Sequence, residues 1–213
     1  MFRKVKNILV AEDHPLVIIG IVSMLAECIP GAEIFKAADF ARALNFLDKQ
    51  QFDLLVMDIN LPDGDKVGMI DAVRLKQPDL PILVCSSYDE KLYALPFLKA
   101  GANGYISKTA PSGEFKIAVE NVINNRIYAS ASVLQNAFGI LFNSRTSDKS
   151  VIGNLSDKEI EIARFLTKGL STKEISEQIN LSPSSISSYK SKIFEKLGVK
   201  NIIELTTYFE LNN

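Results

Sequence analysis

The chain has 213 residues and a formal net charge of −1, so its overall charge indicates no class of partner. Hydrophobic residues make up 47% of it, which predicts one large or two small domains with a proper core. No apolar run approaches the ~20 residues that cross a bilayer, and we expect no signal peptide. The single histidine, His14, argues against His-based zinc sites and a Ser-His-Asp triad. Cys28 and Cys85 lie in apolar segments, which favours buried thiols in a reducing cytoplasm.

Residues 1–125 alternate between strand-like and helix-like segments. The strand-like runs are 6–11, 32–37, 53–58, 81–86 and 103–107, and the helix-like segments are 15–28, 39–49, 64–76, 89–99 and 111–124. Five βα units of this length predict an α/β domain whose parallel sheet is covered by helices on both faces. Pro96 falls inside the fourth helix, which we expect to be short, kinked or mobile.

Acidic, hydroxyl and amine side chains lie where the predicted strands end. Glu12 and Asp13 follow the first strand, Asp58 ends the third, Ser86 ends the fourth and Lys108 follows the fifth. Ligands of an open parallel sheet bind at this edge. Three carboxylates held together need a compensating charge, which a hard cation such as Mg²⁺ provides. Asp58 would then be the nucleophile that forms an aspartyl phosphate, while Lys108 and Ser86 contact phosphoryl oxygens.

Beyond residue 125 the alternation ends. We assign residues 126–154 to a connecting region, with a helix at 131–142 and a polar, flexible linker at 143–154. Residues 155–213 give only helix signals, which predicts a small all-α domain.

The second and third helices of that small domain are joined by a very short turn at 180–181. The third helix begins at Ser182-Pro183 and ends at Gly198, a favourable cap at each end. Two helices joined this tightly are typical of a helix-turn-helix. The stretch 182–200 has four lysines against Glu195 alone, a cluster that can meet phosphates, although charge by itself favours an ordinary solvated helix face.

The stretches ILVAEDHP, LLVMDINLPDGDKVGMI, ILVCSSYDE and LKAGANGYISK closely resemble the receiver domain of bacterial response regulators. The resemblance implies a flavodoxin-like (βα)5 fold for residues 1–125 and phosphorylation of Asp58 by a histidine kinase with Mg²⁺ present. It implies that carboxylates and one backbone carbonyl hold the metal, that a lysine senses the phosphate, and that a hydroxyl and an aromatic ring act as a switch. The expected metal-binding residues are Glu12, Asp13, Asp58 and Asn60, the last through its backbone carbonyl. The expected phosphate-sensing lysine is Lys108, and the expected switch residues are Ser86 and Tyr105.

The stretch 155–205 resembles the LuxR-type helix-turn-helix. Together with the receiver it implies a two-domain transcriptional regulator of the NarL/FixJ family, most similar to the branch containing BvgA, FimZ and RcsB. Such a regulator binds double-stranded DNA, here as an expected homodimer, with its third helix in the major groove. The expected contact residues are Ser184, Ser185, Ser187, Ser188, Lys190, Ser191 and Lys192. Serines discriminate weakly among bases, so we expect lysine–phosphate contacts and DNA shape to contribute.

Several alternatives stay open from the residues. A phosphatase with an aspartyl nucleophile typically has a second acid two residues later, where this chain has Asn60, and we expect no enzyme. A receiver that is no longer phosphorylated would serve only in dimerisation, which the complete set of acids, hydroxyl and lysine disfavours. A further alternative is that the C-terminal helices form a bundle that binds a protein instead of DNA. For His14 a structural role at the start of the first helix is favoured over a metal-binding one.

Overall fold

The structure is a computed structural model that describes residues 6–135, 137 and 155–212. The chain divides into two compact units, residues 1–137 and 138–213. The predicted linker at 143–154 lies outside the described residues, and the described residues of the predicted helix at 131–142 are helical. None of the helices in the described ranges has both the length and the apolar character that crossing a membrane requires.

The first unit is the predicted (βα)5 domain. Its five strands are all parallel and have the order β2-β1-β3-β4-β5, which is the flavodoxin-like arrangement. The strands are β1 (Asn7–Ala11), β2 (Glu33–Ala37), β3 (Leu54–Met57), β4 (Ile82–Ser86) and β5 (Gly104–Ser107). The helices are α1 (Pro15–Cys28), α2 (Phe40–Lys49), α3 (Gly68–Lys76), α4 (Glu90–Lys99) and α5 (Ser112–Ile123).

Burial explains why these runs form strands. Every residue of β3 and β4 is buried, as expected for central strands covered on both faces, whereas β2 at the edge has two exposed, two half-buried and one buried residue. Helix α2 buries Phe40, Ala43 and Leu47, which recur at helical spacing on one face. The fold therefore follows from apolar runs bounded by turns.

In the first unit, helix α3 begins later than predicted and helix α4 contains a proline. Helix α3 begins at Gly68, four residues later than predicted, because the preceding loop holds Asp63 and Lys66 at positive φ (57° and 36°), a conformation that a helix cannot contain. Helix α4 continues through Pro96 to Lys99, so the proline does not end it. The predicted boundaries of the other helices hold to within one residue.

Residues 126–130 lie along the outer edge of β5, a contact that the sequence did not predict. The Tyr128 amide donates to the Asn103 carbonyl at 2.9 Å, and the Tyr105 amide donates to the Tyr128 carbonyl at 3.3 Å. This parallel bridge needs Gly104, since a Cβ there would lie 3.3 Å from Tyr128 Cβ and closer still to a side chain of α5.

The second unit is all-α over its described residues. Its helices are α6 (Asp157–Thr167), α7 (Thr172–Ile179), α8 (Pro183–Leu197) and α9 (Ile202–Asn212). Capping boxes form at the starts of α6 and α7. Asn180 (φ 53°) ends α7 and Gly198 (φ 68°) ends α8, both left-handed. Ile162, Ile186 and Ile193 are fully buried in the core.

Candidate functional site

Strand register brings two of the predicted acids together. Ala11 of β1 pairs with Met57 of β3, so the next residues, Glu12 and Asp58, leave the two central strands side by side. The Asp58 amide donates to the Ala11 carbonyl at 2.9 Å. Glu12 has none of its surface exposed and Asp58 only 4%. Because burial disfavours ionised carboxylates, the pair needs a compensating positive charge.

Lys108 supplies one positive charge at this edge. Its amide donates to the Ser86 carbonyl at 2.8 Å, which anchors the lysine beside the end of β4. Its Nζ lies 2.9 Å from Asp58 Oδ2, to which it donates a hydrogen bond, and 2.5 Å from Glu12 Oε2. Burial lowers the pKa of Lys108, but the two carboxylates outweigh burial and the pKa is raised, so the amine stays charged.

The carboxylates still outnumber the amine. Oxygens of Glu12, Asp13 and Asp58 and a ring nitrogen of His14 all lie within 4.8 Å of one another. Among the described residues, Glu12 Oε2 and Asp13 Oδ1 are buried without accepting an aligned hydrogen bond; the contact of Glu12 Oε2 with Lys108 is an ion pair. Carboxylate oxygens with available lone pairs suit a hard divalent cation, so the donor set fits one.

His14 belongs to this cluster more closely than sequence reasoning suggested. It is the residue before α1, as expected, and its Nδ1 lies 2.9 Å from Glu12 Oε1 and 2.7 Å from Asp13 Oδ1. The hydrogen bond with Glu12, followed by the charge of Asp13, raises the pKa of His14. The imidazole is therefore a nitrogen neighbour of the acids, and its side chain is 62% exposed.

The predicted switch residues form a connected group beside the acids. Ser86 is fully buried, and its Oγ accepts a hydrogen bond from the Tyr88 amide at 3.2 Å. The Tyr105 hydroxyl donates to the Tyr88 carbonyl at 3.3 Å. Tyr105 is 1% exposed and its ring lies 6.2 Å from that of Phe97, so it already has the inward orientation that we expect phosphorylation to favour. Burial raises the pKa of the Tyr105 hydroxyl, which keeps it a donor.

The structure thus brings Glu12, Asp13, Asp58 and Lys108 to one edge of the sheet. Asn60 lies in the turn just after β3, with its side chain exposed. Cys85, next to Ser86, is a buried free thiol, and burial raises its pKa to about 12, which leaves it unreactive at neutral pH.

A second candidate surface is the solvent side of α8. Five of the predicted contact residues, Ser184, Ser187, Ser188, Ser191 and Lys192, are exposed there, whereas Ser185 and Lys190 are half-buried. The Ser185 amide donates to the Ser182 side chain, which caps the helix, and their hydroxyls lie 2.8 Å apart. Lys190 Nζ lies 5.4 Å from the centre of the Phe194 ring, close enough for a cation–π contact.

The exposed serines of α8 use their hydroxyl protons within the helix. Ser187, Ser188 and Ser191 each donate to the carbonyl four residues earlier, at 3.1 to 3.2 Å. Their oxygens are left facing solvent as acceptors, which is consistent with weak discrimination among bases.

Lys196 is exposed on α8 but is held in an ion pair, which only the structure revealed. Its Nζ donates to both carboxylate oxygens of Glu159, at 2.8 and 2.9 Å. Glu159 also accepts from the Ser156 amide at 2.7 Å in the first capping box. The 37-residue separation gave no sequence signal for this pair, which joins the end of α8 to the start of α6.

Comparison with known proteins connects both surfaces to one family. The model of the response regulator receiver domain matches residues 8–120, and that of the bacterial regulatory proteins of the luxR family matches residues 153–209. The Fimbriae Z protein of Escherichia coli strain K12 is 30% identical over 208 residues, which is 98% of each chain. Response regulator UvrY of the same strain is 31% identical over 205 residues, covering 94% of this chain and 91% of UvrY.

Solved structures of RcsB are similar to this chain over nearly its whole length. RcsB from Salmonella enterica serovar Typhimurium, bound to promoter P1flhDC in the presence of the phosphomimetic BeF3−, has a TM-score of 0.76 and 26% identity. The similarity covers 99% of this chain and all of that one. A second RcsB–DNA complex gives a TM-score of 0.75 at 27% identity. The chain therefore belongs to the response regulators in which a receiver domain precedes a DNA-binding domain of the luxR family, and it is a regulator of transcription rather than an enzyme.

Proposed function

We propose that Asp58 accepts a phosphoryl group, that Mg²⁺ bound by the neighbouring acids is required, and that a histidine kinase is the physiological donor. The observation that carries the proposal is the position of Lys108 Nζ, 2.9 Å from Asp58 Oδ2 and 2.5 Å from Glu12 Oε2. A charged amine so close to the acceptor carboxylate is placed to pair with a phosphoryl oxygen once one arrives. Glu12 Oε2 and Asp13 Oδ1, which accept no aligned hydrogen bond and have only ion-pair contacts with Lys108 and His14, support the cation.

Each residue of the site has a part in this proposal. Asp58 Oδ attacks phosphorus and becomes an acyl phosphate, and the donor imidazole leaves with the bonding electron pair. Glu12, Asp13, Asp58 and the carbonyl of Asn60 would hold Mg²⁺, which neutralises charge on the transferring group. The Ser86 hydroxyl would turn from the Tyr88 amide toward a phosphoryl oxygen.

The test is acid-labile phosphate incorporation from a small phosphodonor with and without Mg²⁺. We expect labelling of the wild type only with Mg²⁺, and none of Asp58→Asn. Asp71→Asn, on the exposed side of α3, is the matched control and should label normally. Normal labelling of Asp58→Asn would place the phosphate elsewhere, and an unlabelled wild type would favour a receiver that serves only in dimerisation.

We further propose that the solvent side of α8 enters the major groove of DNA and that phosphorylation favours a DNA-bound homodimer. RcsB, similar over the whole chain, is described both bound to DNA and as two dimers on two parallel DNAs. In this chain α8 follows a tight turn at Asn180 and presents serines and Lys192 to solvent.

Binding to a random-sequence DNA pool, measured with sedimentation of the complex, tests this second proposal. We expect phosphorylated protein to bind more tightly and with two protomers per duplex, reading half-sites about one helical turn apart. Equal affinity and stoichiometry for phosphorylated protein and Asp58→Ala would show that the helix-turn-helix binds constitutively.

A further inference from the structure

The segment that leads out of the receiver domain is attached to that domain at two places. The first is the edge of β5, where Tyr128 exchanges backbone hydrogen bonds with Asn103 and Tyr105. The second is the start of α4, where Glu90 Oε1 accepts hydrogen bonds from Ser130 Oγ and Ser132 Oγ, both at 2.6 Å. Short hydroxyl–carboxylate hydrogen bonds of this kind are charge-assisted and stronger than neutral ones.

The second attachment fixes the helical residues that follow. Ser130 is the residue before the helical stretch 131–135, and its carbonyl accepts from the Leu134 amide at 3.0 Å. Its Oγ accepts from the Val133 amide at 3.4 Å while donating to Glu90, and Val133 is 2% exposed. The start of this helix is therefore positioned by one carboxylate of α4.

The same carboxylate lies next to the switch residues. Tyr88, two residues before Glu90, is bonded through its amide to Ser86 Oγ and through its carbonyl to the Tyr105 hydroxyl. A shift of the Ser86 hydroxyl toward a phosphoryl oxygen removes the acceptor of the Tyr88 amide and frees the loop before α4. Tyr105 is hydrogen-bonded both to this loop and to Tyr128, so one residue connects the loop to the segment that leaves the receiver.

We propose that Glu90, Ser130 and Ser132 form a latch that couples the position of the loop before α4 to the position of the segment leaving the receiver. In this device Glu90 is a positioning residue, and the phosphorylation state at Asp58 changes how firmly residues 127–135 are held. The coupling to phosphorylation rests on the function proposed above, whereas the latch itself does not.

Hydrogen exchange of the full chain tests the latch without any ligand. Removing both hydrogen bonds with Glu90→Ala should raise amide exchange of residues 128–135 about tenfold, the loss expected for a charge-assisted hydrogen bond. Glu90→Gln keeps a side-chain oxygen acceptor but loses the charge, so its exchange should lie between those of wild type and Glu90→Ala. Glu114→Ala, which removes an exposed first-turn carboxylate of α5, is the matched control. Unchanged exchange in a folded Glu90→Ala overturns the latch.

A second measurement tests the coupling with Mg²⁺ and BeF3− as the probe. We expect the probe to change the exchange of residues 127–135 in wild type and Glu90→Gln, and to change it much less in Glu90→Ala. Ser130→Ala/Ser132→Ala removes the same two hydrogen bonds and also the acceptor of the Val133 amide, so it should raise exchange at least as much as Glu90→Ala. Adding Glu90→Ala to this double variant should raise exchange no further, because the hydrogen bonds to Glu90 are already lost. Additive effects overturn the assignment. If the probe fails to stabilise the wild type, the proposed phosphorylation fails, and the ligand-free exchange still decides the latch.

Discussion

The two units each pair a lysine with a buried carboxylate, and the pairs differ in how completely the carboxylate oxygens are used. In the second unit, Lys196 and the Ser156 amide together saturate Glu159, one amine facing one acid. In the receiver, Lys108 faces Glu12 and Asp58, with Asp13 close by, so negative charge remains in excess. The saturated pair stabilises a fold, while the unsaturated cluster has a donor set that fits a cation.

The difference shows that a buried ion pair does not reveal its role by distance alone. Both lysines lie within 2.9 Å of a carboxylate that is at most 4% exposed as a residue. What separates them is the number of buried carboxylate oxygens that accept no aligned hydrogen bond. Among the described carboxylates these are Glu12 Oε2 and Asp13 Oδ1, each of which has only an ion-pair contact. Four predictions test this comparison.

The largest expected effect is on the stability of the second unit. Glu159→Ala removes a capping box and the acceptor of Lys196, and should cost about 3 kcal/mol of the free energy of unfolding. Urea unfolding of the full chain measures it. Glu161→Ala on the same helix removes only an exposed ion pair with Lys158 and should stay within about 0.5 kcal/mol of wild type. A similar loss of unfolding free energy in both variants would contradict the larger contribution expected of the Glu159–Lys196 pair.

The receiver should respond in the opposite direction when an acid is removed. Asp13→Asn relieves repulsion among the carboxylates and should raise the stability of the metal-free receiver by about 1 kcal/mol. The same change should abolish the stabilisation that Mg²⁺ gives the wild type. Thermal unfolding with and without Mg²⁺ measures both. A destabilised Asp13→Asn receiver would mean that this acid is as structurally required as Glu159.

The saturated pair should also fail at low pH. Lys196, then the Ser156 hydrogen bonds, hold the pKa of Glu159 below its ordinary value of 4.5 against the effect of burial. A lowered folded-state pKa contributes stability above pH 4.5, and that contribution is lost as pH falls through the folded pKa. The stability difference between wild type and Glu159→Gln should therefore shrink in that window. A difference independent of pH would contradict the ion pair.

The smallest effect separates two lysines of α8 in DNA binding. Lys192→Ala should weaken binding a few-fold and lower the slope of log affinity against log salt by about 1, because one phosphate contact is lost. Lys196→Ala, whose amine is held by Glu159, should leave the slope unchanged. Filter binding over a salt series compares the two variants. Equal slopes would mean that Lys196 also contacts a DNA phosphate.

The sequence predicted that the acids and Lys108 meet at one edge of the sheet, because this convergence is a consequence of register. Once β1 and β3 are parallel neighbours, the residues after Ala11 and Met57 must emerge together. Contacts that depend on how loops and helices return to the domain gave no such signal. The bonds from Glu90 to Ser130 and Ser132 join residues 40 and 42 positions apart, and neither hydropathy nor spacing marks them.

The start of α3 was predicted four residues early for a local reason. Asp63 and Lys66 both adopt positive φ, which aspartate tolerates but lysine rarely does, and helical spacing did not indicate that the loop extends to Lys66. Helical periodicity alone also could not separate Lys196 from Lys192, because their different roles depend on Glu159 in another helix.

The bridge between Tyr128 and Gly104 bears on where the receiver can be cut. The outer edge of β5 has backbone groups that would otherwise be open to pairing with another chain, and Tyr128 occupies two of them. A fragment ending at residue 125 would expose this edge and Tyr105's amide. A fragment extended to residue 135 would keep it covered, and should resist self-association and proteolysis better.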